Sequence, residues 1–362
     1  NTEFKYPNII DENGKKVELT DGTYSKYMGS LKKEVRISAF NSMYSLYKKH
    51  INTITELYLA RVKTDTTISK LRRYKSSLEK AVKNDDASIK VYNSLIEVVN
   101  ENLNINHKYI ELKKKMLGLD EMHIYDVYVN AFKNNNEEVN YEEAKNIVLK
   151  GLAPLGENYI NMLKHAFDNK WIDVYEEKNK RSGAYSCGVY GVHPYILTNY
   201  TGTTRDVSTI AHELGHSMHS YYADNAQNAI DANYTIMVAE VASTVNEILL
   251  SQYLINNEKD LKKKAALINE RIDDIRATLI RQSMFAEFEK IVHEKIENKE
   301  ILTSDTLCDI YYNLNKKYFG TGIILDENIK YELARIPHLY SCSYVYKYAT
   351  GISAAIATTK KI

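Results

Sequence analysis

The sequence predicts a mainly α-helical, multi-helical protein with one small β-sheet. Three observations point there. Only 4 prolines and 14 glycines interrupt 362 residues, so long continuous elements are favoured. Apolar residues recur at three- and four-residue steps over most of the length, the spacing of a helix with one buried face. A single run, "PYILTNY", is rich in β-branched and aromatic residues and follows glycine-rich sequence, as a strand would.

Residues from about 24 to 150 read as successive helices; "YSLYKKHINTITELYLARV" and "IKVYNSLIEVVNENLNINHKYIELKKKMLG" set apolar stripes among Lys, Glu and Asn. Such stripes build a core. "GLAPLG", with Pro154, breaks the run, and one more helix follows through Trp171. Then the texture changes: residues 181–202 hold glycines at 183, 188, 191 and 202 and read as a glycine-rich turn leading into the strand. Helices resume near 204 and continue to about 318. After "FGTGIILDE" comes "RIPHLYSCSYVYKYATG", one His and four tyrosines in a stretch that begins as a loop.

Composition excludes several functions. Net charge is +1, from 48 basic and 47 acidic residues, which gives no electrostatic footprint for nucleic acid or for anionic lipid. No segment approaches the roughly 20 apolar residues that span a bilayer. Cys187, Cys308 and Cys342 are too scattered for a disulfide framework and suit a reducing, cytoplasmic compartment. The start, "NTEFKYPNII", lacks the pattern of a secretion signal and an initiator Met, and it reads as the start of a fragment. Nothing specifies an oligomeric state.

One segment stands apart: "TIAHELGHSMHSYY". Thr203 and Asp206 form a capping signal ahead of it, so a helix is expected to start there. At about 100° per residue, Val207, Ile210, Ala211, Leu214 and Met218 share one stripe, while His212, His216 and His219 fall opposite, within about 60° of one another. His212 and His216 are one turn apart and can hold one ion. Glu213 points beside that ion, where it can deprotonate a water. With 10 His in the chain, chance matches to His-Glu-x-x-His number about 0.02. The pattern is therefore specific.

A catalytic zinc site needs a third protein ligand and an open position. His219 is expected to pack rather than ligate. Among Asp224, Asp231, Glu240 and Glu247, Asp224 lies too near the end of the same helix and Asp231 sits in a polar connection. Glu240 opens "AEVASTVNEILLSQYLI", whose polar side (Glu240, Thr244, Glu247, Ser251) could return against the imidazoles. Glu240 would ligate, and Glu247 could fix the tautomer of a ligand His.

At these residues the chain resembles the oligoendopeptidase F group of the thimet-type oligopeptidase family of zinc metallopeptidases. "AHELGHSMHS", "AEVASTVNE", "IPHLYSCSYVYKYATG" and the upstream "SGAYSCGVYGVHPYILTNY" stand in the order that group shows, and "RRYKSSLEKAV" and "KKKMLGLDEMHIYDVYV" extend the resemblance over nearly the whole chain. Members of that group are longer at both ends, so the chain reads as a piece of one longer domain. The resemblance implies a helical zincin-type fold with a deep channel that admits oligopeptides, one Zn2+ held by His212, His216 and Glu240, and Glu213 as general base. It implies that the edge strand "PYILTNY" and its glycine-rich approach, with Gly188 and Tyr195, pair with substrate backbone. It also implies that His338 and a tyrosine face the scissile carbonyl. Tyr346 and Tyr348 are the preferred pair here, with Tyr344 close behind as a substrate contact.

The expectation is thus a helical region over 1–180 forming channel wall, and a catalytic zinc region over 181–362. The expected activity is endopeptidase cleavage of oligopeptides. A metallocarboxypeptidase on a related helical scaffold, or a peptide-binding protein with a vestigial zinc site, are the competing readings; an intact Glu213 argues against the last.

Overall fold

The computed structural model describes residues 5–132, 138–177, 180–181 and 183–362. Among them are thirteen α-helices and two small sheets, so the expected helical class is observed. The chain forms two compact units, residues 1–131 with 280–346, and residues 132–279 with 347–362.

The first unit begins with a two-stranded antiparallel ladder, β1 (Ile9–Ile10) and β2 (Lys16–Val17). Five helices follow: α1 (Asp21–Met28), α2 (Lys33–Leu71), α3 (Ser77–Lys83), α4 (Ile89–Glu101) and α5 (Leu103–Met116). The 39-residue α2 is the spine. Its buried Val35, Ala39, Met43, Tyr47, Tyr58 and Val62 mark the stripe that the period-3.6 pattern leads one to expect. A 3-10 segment, Glu327–Arg335, packs along α2, and its Glu332 is fixed by Tyr311 at 2.5 Å and Arg281 at 2.6 Å.

The second unit holds α6 (Tyr141–Gly151), α7 (Glu157–Asp168), strands β3 (Ile172–Tyr175), β4 (Tyr185–Cys187) and β5 (Tyr195–Tyr200), then α8 (Thr204–Ala226), α9 (Ile236–Asn257) and α10 (Leu261–Ile275). A π turn, Arg276–Ile280, returns the chain to the first unit, where α11 (Arg281–Glu297) and α12 (Ser304–Phe319) follow. The last helix, α13 (Tyr346–Thr359), starts with the final residue of the first unit and continues in the second.

The division of the chain differs from the expected boundary at 180. Helices α6 and α7 add their apolar faces to the core of α8 and α9: Ala144, Val148, Leu152, Leu163 and Ala166 share it with Val207, Ile210, Leu214, Met218, Ile248 and Leu250. They therefore belong with the histidine helix and not with the preceding helices.

The strand order also differs from expectation. "PYILTNY" becomes β5, the middle strand, parallel to β3 and antiparallel to β4. Burial of Ile196, Thr198 and Tyr200 on alternate positions, with both backbone edges bonded, removes it as an edge. The edge beside α8 is β4, in the glycine-rich stretch read from sequence as a turn; Ser182 of that stretch lies outside the described residues.

Candidate metal and catalytic site

Helix α8 opens with the expected capping box, Thr203 Oγ1 accepting from the Asp206 N–H at 3.2 Å and Asp206 accepting from the Thr203 N–H at 3.0 Å. Its apolar stripe is buried, which turns the imidazole face toward α9. Gly215 sets how closely the two helices approach. A Cβ there would lie 2.5 Å from the Cα of Ser243 and 2.8 Å from the carbonyl oxygen of Ala242, so no side chain fits. Asn246 ties the pair, donating to the Ala211 carbonyl at 2.9 Å and accepting from the Tyr159 hydroxyl at 3.0 Å.

Three donor atoms converge across this contact. The Nε2 atoms of His212 and His216 are 3.1 Å apart, and Oε2 of Glu240 is 3.8 Å from each. Donors bound at 2.0–2.1 Å around a tetrahedral zinc stand about 3.4 Å from one another, so this trio fits one ion with little adjustment. Glu247 Oε1 meets His212 Nδ1 at 2.9 Å, the outer contact that leaves Nε2 of a ligating histidine with its lone pair inward.

Glu213, 6% exposed, accepts a hydrogen bond from the Ser186 backbone N–H on β4. Ser186 Oγ is also 2.8 Å from Ser217 Oγ, so the edge strand is fastened to α8 at the glutamate and again one turn on. Burial raises the Glu213 pKa; the His212 charge pulls the other way, and Glu240 adds to the rise. For His216, burial and then the His212 and His219 charges push the pKa down to about 4. Burial also works against charge on His212, but the Glu247 hydrogen bond and charge, with Glu213 and Glu240, outweigh it and leave its pKa raised.

His219 packs, as its position suggested. Its ring stacks on Tyr234 at 3.7 Å, and the Tyr234 hydroxyl lies 2.7 Å from Ser220 Oγ. Tyr234 was invisible in the sequence because it sits in the polar connection before α9, with no periodic neighbour. Gly188 presses on the same turn: a Cβ there would meet Ser220 at 2.7 Å. Tyr195 pairs with Cys187 in the β4–β5 ladder, and its half-exposed ring lies 4.4 Å from His193.

The remaining expected residues divide between the units. His338, exposed on the 3-10 turn Pro337–Tyr340, stacks on Tyr344 with ring centroids 5.8 Å apart, both within the first unit. Tyr346 is fully buried there, its hydroxyl 3.0 Å from Asp85 and its ring 5.1 Å from Tyr92. Tyr348 is half-buried on the part of α13 that belongs to the second unit.

The profile of Peptidase family M3 matches residues 26–361. Oligopeptidase PepF of Bacillus subtilis is 46% identical over all 362 residues, which cover 54% of that protein. Oligoendopeptidase F (chromosomal) of Lactococcus lactis subsp. cremoris is 39% identical over 362 residues, 60% of its length. Among solved structures, oligoendopeptidase-F from Enterococcus faecium aligns with TM-score 0.80 and 34% identity over 100% of this chain and 58% of its own. A Chlamydophila abortus protein aligns with TM-score 0.93 and 38% identity over 99% of this chain and 60% of its own. The chain thus spans 54 to 60% of the length of these relatives.

Proposed function

The chain belongs to peptidase family M3, and on that premise we propose that it is the metal-holding part of a zinc-dependent endopeptidase that hydrolyses internal bonds of oligopeptides. One observation carries this reading. Two imidazole nitrogens and a carboxylate oxygen converge within 3.8 Å, with a buried glutamate beside them. An intact Glu213 beside the trio favours catalysis over a vestigial metal scaffold.

His212, His216 and Glu240 would hold the zinc, and the imidazole and carboxylate donors suit that ion. Zinc, when bound, acidifies water and polarises a peptide carbonyl. Glu213 takes a proton from the attacking water on its carboxylate and passes it to the leaving amine nitrogen. Its burial-raised pKa favours holding that proton between the two transfers. Glu247 keeps the His212 ring oriented.

The outer edge of β4, which pairs with no strand among the described residues, receives substrate backbone by strand addition, with Gly188 and Tyr195 at its end. This role passes from β5 to β4. Tyr348, on the part of α13 that belongs to the second unit, is assigned as hydroxyl donor to the carbonyl oxygen, the role the resemblance gives to a tyrosine of this stretch. The three scattered cysteines support a cytoplasmic location; among the described residues no helix is long and apolar enough to cross a membrane.

The test is cleavage of an internally quenched peptide blocked at both ends, with and without chelator. Internal cleavage that stops on chelation is expected. Release of single C-terminal residues from an unblocked peptide, with the blocked one untouched, would instead establish the carboxypeptidase reading.

A further inference from the structure

Another group of donors lies wholly inside the first unit, built from three distant parts of the chain. Asp65 comes from α2, His293 from α11 and Cys342 from the turn ahead of α13, and one ligand atom of each lies within 4.8 Å of the other two. Asp65 and His293 are buried, at 6% and 5% exposure, and Cys342 is half-buried. We propose that Asp65, His293 and Cys342 form a second zinc site, independent of the peptidase centre.

The imidazole is already oriented as a ligand. His293 Nδ1 meets the carbonyl oxygen of Glu289 at 2.9 Å, so it carries the proton, and Nε2 faces Cys342 Sγ with its lone pair. That Nε2···Sγ separation is 3.6 Å. Zinc bonds of about 2.0 Å to nitrogen and 2.3 Å to sulfur at a tetrahedral angle require about 3.5 Å between the two donors. Asp65 accepts from Arg61 Nε at 2.9 Å on Oδ2, and a carboxylate has lone pairs for an ion beside that bond.

Charge points the same way. Glu289, one turn before His293, is fully buried; its Oε1 accepts from the Ser343 N–H, and its Oε2 has no hydrogen-bond partner among the described residues. Burial pushes its pKa up to about 8, the Ser343 bond opposing and Asp65 adding to the rise. Burial pushes the Cys342 thiol up to about 12, with Glu289 and Asp65 adding. The cations that act on this group are the partly exposed Arg61, spent on Asp65, and Lys80, so a thiolate at Cys342 would need further positive charge beside it. A divalent ion supplies that charge. It takes the place of the thiol proton, which leaves to solvent as the Sγ–metal bond forms. Thiolate and imidazole together select zinc over magnesium or calcium. The ion would clip α2, α11 and the segment before α13, which local sequence does not join.

The thiolate separates this site from the His212 centre, which has no sulfur donor. The full chain is produced in cobalt-supplemented medium and again with zinc. Expected are a sulfur-to-cobalt charge-transfer band and one more zinc per chain than the Cys342→Ala variant holds. The band is lost in Cys342→Ala and His293→Ala but kept in His216→Ala, where the peptidase centre is crippled. Should Cys342→Ala fail to fold, alkylation of the parent decides: Cys342 is protected until chelator is added. A cobalt spectrum without the sulfur band, or equal zinc in parent and Cys342→Ala, overturns the proposal and leaves a thiol hydrogen-bonded to an imidazole.

Discussion

Gly215 and Ser243 are in backbone contact, with 2.5 Å between the Cα of Ser243 and the point where a Cβ on Gly215 would stand. This closeness lets a carboxylate on α9 reach two imidazoles on α8. Gly215→Ala is expected to force the helices apart at a cost of about 1–3 kcal/mol. Thermal unfolding and zinc affinity should fall together; a lower unfolding temperature with unchanged zinc affinity would deny that this contact places Glu240.

Glu213→Gln keeps the size of the side chain and removes its ability to take a proton. The variant should retain metal and lose peptide cleavage by at least about 10²-fold. Metal analysis beside a cleavage assay checks both halves. Near-parental turnover would remove Glu213 from the reaction.

Glu247→Ala removes the carboxylate at 2.9 Å from His212 Nδ1. A loss of roughly 10–100-fold in zinc affinity is expected, measured by competition with a chelator. Glu240→Ala should lose more, since it removes a donor and not its support.

The metal-free chain should lose the His216 contribution on acidification. Burial holds this histidine at about 4, so between its ordinary value of 6.5 and about 4 the unfolded chain binds the extra proton and stability falls as pH falls. A shift of that size corresponds to at most about 3 kcal/mol. Denaturant titrations of chelated parent and His216→Gln across this window isolate it. The parent's advantage should shrink toward pH 4, and a pH-independent difference would rule the effect out.

The two tyrosines of α13 should separate by readout. Tyr346→Phe breaks the bond to Asp85 and should cost about 1 kcal/mol of stability with kcat little changed. Tyr348→Phe should lower kcat by about 10²-fold. The reverse outcome would return Tyr346 to the reaction.

Much of the helix bearing His212 and His216 was legible because its information is local. A cap, a stripe and a histidine face repeat within 23 residues, and the polar side of α9 could be matched to them by the same geometry. The sheet was less legible. A three-residue strand such as β4 is too short to show alternation, so the aromatic run of β5 drew the edge assignment to itself. The division into units was hidden for another reason: α6 and α7 carry ordinary amphipathic stripes, and nothing local says which core they serve. Gly215, Tyr234 and the Asp65–His293–Cys342 group depend on contacts between distant segments, and no spacing rule reaches them.

The backbone N–H of Ser186 is committed to Glu213, and β4, which carries it, pairs on one side only among the described strands. On the function proposed above, docking and chemistry would share three residues of main chain. A guest laid along β4 would then damp the motion of the very amide that holds the carboxylate, and longer peptides should gain in turnover as well as in grip.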